Sequence, residues 1–131
     1  MVLVYLVRHA KAAPGEPDEL RPLTEEGKRQ ARVLGERLAG ETTPPAAVRT
    51  SPLLRARQTG DAVARAVGVI SEPDDRLLPG ATAEDVRAVA AATAAPVALV
   101  GHQPDCGEIA AALTGGAEPD FPPAGFVTLE V

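Results

Sequence analysis

Apolar positions along the chain fall into two kinds of run. Leu3-Val4-Tyr5-Leu6-Val7 and Pro96-Val97-Ala98-Leu99-Val100 are short, nearly continuous and rich in β-branched residues, the pattern of strands buried on both faces. Ala46–Thr50, after the break at Pro44-Pro45, predicts a short second strand, and Val69-Ile70-Ser71 a short edge strand. Phe126 to Val131 alternates and predicts the last strand.

The intervening stretches carry a helical period. Thr24 reads as a helix N-cap, with Glu25 and Glu26 in the first turn, where the macrodipole favours carboxylates. Gly27, Ala31, Leu34 and Leu38 then share one face, and the helix ends near Gly40. A second helix is expected to open at Ser51-Pro52, with Ala56, Thr59, Val63 and Ala66 inward and Gly68 as its stop. Thr82 with Asp85 forms a capping box for a third helix that buries Val86, Val89, Ala90 and Thr93. Pro104-Asp105 opens a fourth, with Ile109 and Leu113 inward and Gly115-Gly116 closing it. Strands alternating with helices predict an α/β fold around a mainly parallel sheet, and nothing resembling a linker splits residues 1–131.

Composition narrows the function. The chain has 131 residues, is 45% hydrophobic and carries a net charge of −5, so one globular domain is expected. With three aromatic residues and no basic excess, nucleic-acid binding is not expected. No apolar run is long enough for a membrane span, and Met1 leads straight into the first strand, so the cytoplasm is the expected location. Cys106 is the single cysteine and reads as core packing.

The chemistry sits where the two buried strands end. One runs into Arg8-His9 and the other into Gly101-His102, and these are the only two histidines. Ligands in open parallel sheets bind at that carboxyl edge. Arg55 falls near the start of the second helix, where a cation opposes the helix dipole but reinforces an anion site. His9, His102, Arg8 and Arg55 would converge on a small cationic pocket for a dianion. Arg21 is placed either on substrate or as an anchor of its own loop, and Gln103 offers a backbone N–H at the start of the fourth helix. Two histidines without paired carboxylates are a poor metal set, so neither metal nor cofactor is expected.

These motifs resemble the histidine phosphatase superfamily, the phosphoglycerate mutase-like fold. Leu6-Val7-Arg8-His9-Ala10 is similar to its arginine-histidine signature and Arg21-Pro22-Leu23-Thr24 to its next motif. Ser51-Pro52-Leu53-Leu54-Arg55-Ala56-Arg57-Gln58-Thr59 resembles the motif of its second arginine, and Val100-Gly101-His102-Gln103-Pro104 that of its second histidine. Ala10 in place of glycine, and Leu78-Pro79-Gly80-Ala81, match the small SixA-like branch. The resemblance implies a three-layer α/β/α fold in a minimal version without cap insertion, and an enzyme needing no metal. It also implies that His9 attacks phosphorus and is transiently phosphorylated, that Arg8 and Arg55 hold the oxygens, and that His102 stabilises charge.

The substrate implied is protein phosphohistidine on a histidine-containing phosphotransfer domain, handled by a monomer. A small phosphate ester, or phosphate binding without turnover, is the alternative. The superfamily's general acid has no single counterpart: Asp18, Glu19, Asp75, Glu84 and Asp105 are all candidates. An ill-defined acid favours a P–N substrate, whose imidazole leaves without the proton that an alkoxide demands.

Overall fold

The computed structural model describes all residues, Met1–Val131. Five strands, β1 (Leu3–Arg8), β2 (Ala47–Thr50), β3 (Ser71–Pro73), β4 (Val97–Gly101) and β5 (Phe126–Glu130), form one sheet in the order β3-β2-β4-β1-β5. The first four run parallel, and β5 pairs antiparallel with β1 at the edge. Alternate side chains of a strand face opposite sides of a sheet, so a central strand covered on both sides must be apolar throughout. Val4, Val7, Val97, Ala98, Leu99 and Val100 are accordingly all fully buried.

Two cores result. On one face Tyr5, Val7, Val48, Ala98 and Val100 pack against Leu34 and Leu38 of α1 (Glu25–Ala39) and Ala56 and Val63 of α2 (Leu54–Val67). On the other, Val4, Leu6, Val97 and Leu99 meet Val86 and Val89 of α3 (Ala83–Ala91) and Cys106 and Ile109 of α4 (Asp105–Thr114). This is the expected three-layer α/β/α arrangement. No helix is long and apolar enough to cross a membrane.

The caps follow the sequence. Thr24 Oγ1 accepts the Gly27 N–H at 2.9 Å, and Thr82 and Asp85 form the reciprocal capping box. Gly68 (φ 78°) and Gly115 (φ 73°) end α2 and α4 in left-handed geometry, which favours residues without a Cβ.

Several expectations need correction. Helix α2 does not open at Pro52. The Ser51 N–H still continues the sheet to the Val100 carbonyl, and Ser51 Oγ accepts the Leu53 N–H at 3.3 Å. Leu53 therefore stays extended and becomes the N-cap. Ala64, not Ala66, is buried on α2. The edge strand lies at Ser71–Pro73, because backbone pairing with Val48–Thr50 sets its register, and Ile70 is left 77% exposed. Thr93 lies beyond α3 and is only half-buried, as is Leu113.

Candidate active site

Parallel pairing of β1 with β4 puts Arg8 opposite Gly101, so the next residue of each chain segment is a histidine at the sheet's carboxyl edge. The His9 N–H donates to the Gly101 carbonyl at 3.0 Å. The two rings stand 5.2 Å apart between centroids, inclined at 61°. His9 Nδ1–H donates to the Ala10 carbonyl at 2.7 Å. A carbonyl only accepts, so the neutral ring carries its lone pair on Nε2.

The backbone around His9 is fixed from two sides. The Ala10 N–H donates to Thr59 Oγ1 at 3.0 Å, and that hydroxyl donates to the Arg55 carbonyl at 2.8 Å. From the other side, the Ala124 N–H reaches the His9 carbonyl and the Arg8 N–H reaches the Gly125 carbonyl.

His102 is 5% exposed, and its Nε2 lies 2.8 Å from Ser51 Oγ, itself fully buried. Ser51 Oγ already accepts from Leu53, and its own proton finds an acceptor in His102 Nε2. That pairing leaves Nδ1–H as the donor of a neutral His102. Burial pushes the His102 imidazole down to about 4, with the His9 and Arg55 charges adding to the effect. His9 is lowered as well, by burial first and by Arg55, Arg8 and Arg21, against the opposing hydrogen bond to Ala10. Both rings are neutral at neutral pH.

Three arginines supply the positive charge. Arg8 Nη1 donates to the Phe121 carbonyl at 2.8 Å, while its buried Nε has no protein acceptor. Arg55, the second residue of α2, is 7% exposed. Its Nη1 donates to the Asp18 carbonyl at 2.9 Å and its Nη2 to Asp18 Oδ2 at 3.2 Å. Arg21 donates to Asp18 Oδ1 at 3.0 Å and, through Nε, to the Ala13 carbonyl at 2.8 Å. It anchors its loop and lines the cleft at once. The Arg21 hydrogen bond, reinforced by Arg55, holds the Asp18 carboxyl below the usual carboxylate range.

Arg8, His9, Arg21, Arg55, His102 and Gln103, the residues singled out from sequence, all line one cleft of about 380 Å³ together with Asp18 and Pro79. Gln103 also caps α4, its Oε1 accepting the Gly107 N–H at 2.8 Å. Of the five candidate acids only Asp18 lines this cleft. Glu19 and Asp75 are exposed elsewhere, Glu84 pairs with Arg87, and Asp105 accepts the Gly80 N–H at 2.7 Å. That last bond ties the Leu78–Ala81 turn, which carries Pro79 of the cleft, to the first residue of α4. No cluster of three or more His, Cys, Asp or Glu side chains is arranged to hold a metal ion. Cys106 packs in the core 1% exposed, its thiol pushed up to about 12 by burial, as a packing residue would be.

Sequence reasoning passed over Ser51 and Thr59 as site supports. Thr59 carried a signal, a hydroxyl on an otherwise apolar stripe. Ser51 carried one too, a small polar residue between a strand and a helix.

Two neutral imidazoles and three arginines at the carboxyl edge of a parallel sheet define a phosphate-handling α/β enzyme. The model of the histidine phosphatase superfamily (branch 1) matches residues 4–78, which include Arg8, His9 and Arg55. Phosphohistidine phosphatase SixA of Escherichia coli (strain K12) is 30% identical over 123 residues, covering 88% of this chain and 76% of that protein. The solved structure of the protein histidine phosphatase SixA complexed with tungstate superposes with a TM-score of 0.87 at 27% identity, covering 98% of this chain and 88% of the other. Mycobacterial glucosyl-3-phosphoglycerate phosphatase shares the fold alone, with a TM-score of 0.74 at 18% identity over 97% of this chain and 89% of that one. The chain belongs to the histidine phosphatase superfamily, is similar to its SixA-type members, and is a phosphatase.

Proposed function

We propose that this protein is a phosphohistidine phosphatase of SixA type that works through a covalent phospho-His9 intermediate. The observation that carries the reading is the Nδ1–H bond from His9 to the Ala10 carbonyl, which leaves Nε2 as a neutral nucleophile beside Arg8, Arg55 and His102. In the first step the bond from phosphorus to the substrate imidazole breaks as the bond to His9 Nε2 forms. The substrate ring, protonated on its second nitrogen, leaves neutral. Water then attacks phosphorus, the bond to Nε2 breaks, and His9 is regenerated as dihydrogen phosphate departs.

Each further residue has a part. Arg8 and Arg55 hold the phosphoryl oxygens, and His102 Nδ1–H donates to the oxygen on which charge develops. Arg21 and Gln103 bind at the rim. A bound dianion offsets the repulsion from Arg55 that helps keep His102 neutral, so substrate favours the protonated form of His102, the stronger donor.

A P–N substrate is supported by the carboxylate inventory. Asp18, the one carboxylate of the cleft, is held ionised by two arginines and is a poor proton donor. Alcohol leaving groups need such a donor; imidazole does not. The presence of tungstate, a tetrahedral oxyanion, in a SixA relative supports an oxyanion site in this fold. The partner we propose is a histidine-containing phosphotransfer domain, met by a cytoplasmic monomer in which residues 1–131 act as one catalytic domain without metal or cofactor.

Phosphatase action on a small phosphate ester is the second reading, favoured by the shared fold of the glucosyl-3-phosphoglycerate phosphatase. Steady-state rates on a phosphohistidine protein, a sugar phosphate and a nucleotide separate the two. Higher kcat/KM on the phosphoprotein supports the first reading, and preference for either small ester overturns it.

A further inference from the structure

Arg55 is the one cleft arginine with both Nη atoms held by another residue of the chain. Its side chain is 9% exposed, yet that of its partner Asp18 is 62% exposed. The Asp18 carbonyl and Oδ2 take the two Nη donors as a pair, at 2.9 and 3.2 Å. A guanidinium grips a phosphoryl group in this same two-pronged way. Asp18 Oδ1 meanwhile takes Nη1 of Arg21, a second cleft arginine. One residue thus presents three oxygens to two arginines, as a tetrahedral oxyanion would.

The segment that carries Asp18 is held lightly. The single-turn helix Asp18–Leu20 buries none of its residues, and no side chain caps its start. Its base is closed by the Ala13 N–H on the Pro22 carbonyl and by the bridge between Ala12 and Leu23. Between that base and the body of the protein, the Asp18–Arg55 pair is the hydrogen-bonded tie of the turn to α2. The Asp18 carbonyl also accepts the Arg21 N–H at 3.1 Å, so the turn can leave Arg55 as a unit without exposing apolar core.

We infer that Asp18 is the resident counter-anion of the phosphate pocket, a residue that the phosphoryl group must displace from Arg55. The inference rests on the phosphate-pocket reading above and gives Asp18 a role other than that of a proton donor. Its consequence is specificity. Free phosphate meets the full cost of displacing Asp18 with no contact beyond the cleft, so it binds weakly and leaves readily. A phosphoryl group presented by a protein brings additional contacts that offset the displacement. Asp18 thereby tilts the site towards macromolecular substrates and against product inhibition.

The test is calorimetric titration of inorganic phosphate into wild type, Asp18→Asn, Asp18→Ala and Glu19→Gln at physiological ionic strength. Glu19 lies next in the chain, exposed and unpaired with Arg55, so its variant removes the same charge without the contact. The expected result is tighter phosphate binding by roughly two- to fivefold in both Asp18 variants, the range an exposed ion pair supports, with Glu19→Gln close to wild type. Amide signals of Asp18–Leu20 in the wild-type NMR spectrum should also shift as phosphate saturates the site.

Unchanged or weaker binding in the Asp18 variants would overturn the inference and make Asp18 a strut that orients Arg55. Equal tightening in Glu19→Gln would overturn it too, assigning the effect to the general field. If wild type and every variant fail to bind phosphate, the pocket reading falls and this one with it.

Discussion

His9 and His102 leave neighbouring parallel strands at the same level, and their rings stand 5.2 Å apart. Neither can be protonated without cost to the other, and burial pushes both below the ordinary histidine value, His102 to about 4. The sign of the effect on stability follows from linkage. Between pH 6.5 and about 4 the unfolded chain binds more protons than the folded one, so stability is complete above 6.5 and is lost as pH falls through that window. Thermal melts of wild type should show this slope, and His102→Gln should flatten it. Activity should fall in acid, below the ordinary histidine value, as His9 Nε2 is protonated, which a pH profile of kcat/KM checks.

Arg55→Ala removes a charge-assisted donor pair and should weaken phosphate or tungstate binding by about 1.5–3 kcal/mol. Competitive inhibition constants measure this directly. Unchanged affinity would contradict the assignment of Arg55 to the phosphoryl oxygens.

Ser51 is buried and is the hydrogen-bond partner of His102 Nε2. Ser51→Ala leaves that nitrogen without its donor and the Leu53 N–H without its acceptor, a loss of about 1–3 kcal/mol in unfolding free energy. Denaturant melts read the stability. A fall in kcat larger than the change in KM, in protein that is still folded, would show that the bond orients His102 and does not merely pack it.

Gly27 illustrates how tightly α1 seats beside the site. A Cβ placed there would lie 2.1 Å from the Lys11 carbonyl oxygen, which is backbone and cannot swing away. Gly27→Ala should therefore cost at least about 2 kcal/mol, shift the Lys11 segment just beyond His9, and lower both melting temperature and activity.

Much of this architecture was legible because its parts obey local rules. Strands β1 and β4 are buried on both faces, so their apolar runs are continuous, and Thr24 and Thr82 cap their helices as their sequence contexts require. Arg55 was legible for the opposite reason, a cation set against the helix dipole. The edge strand lies at Ser71–Pro73, beyond its expected start at Val69, because three residues paired by backbone to a single neighbour leave little side-chain pattern. In α2 the alternatives Ala62, Ala64 and Ala66 are chemically alike, so the period alone could not say which is buried. Asp18 looked like four other carboxylates. Its distinction is a contact across 37 positions of sequence, which only the fold supplies.

In the proposed reaction His9 Nε2 takes a phosphoryl group from protein phosphohistidine. The most direct test follows hydrolysis of a phosphohistidine-bearing phosphotransfer domain beside p-nitrophenyl phosphate, by wild type and by His9→Ala. Preferential turnover of the phosphoprotein by wild type is expected, with a loss of at least about a thousandfold in the variant and its fold unchanged by circular dichroism. Phosphoprotein turnover that survives in His9→Ala, or turnover of the small ester alone, would contradict it.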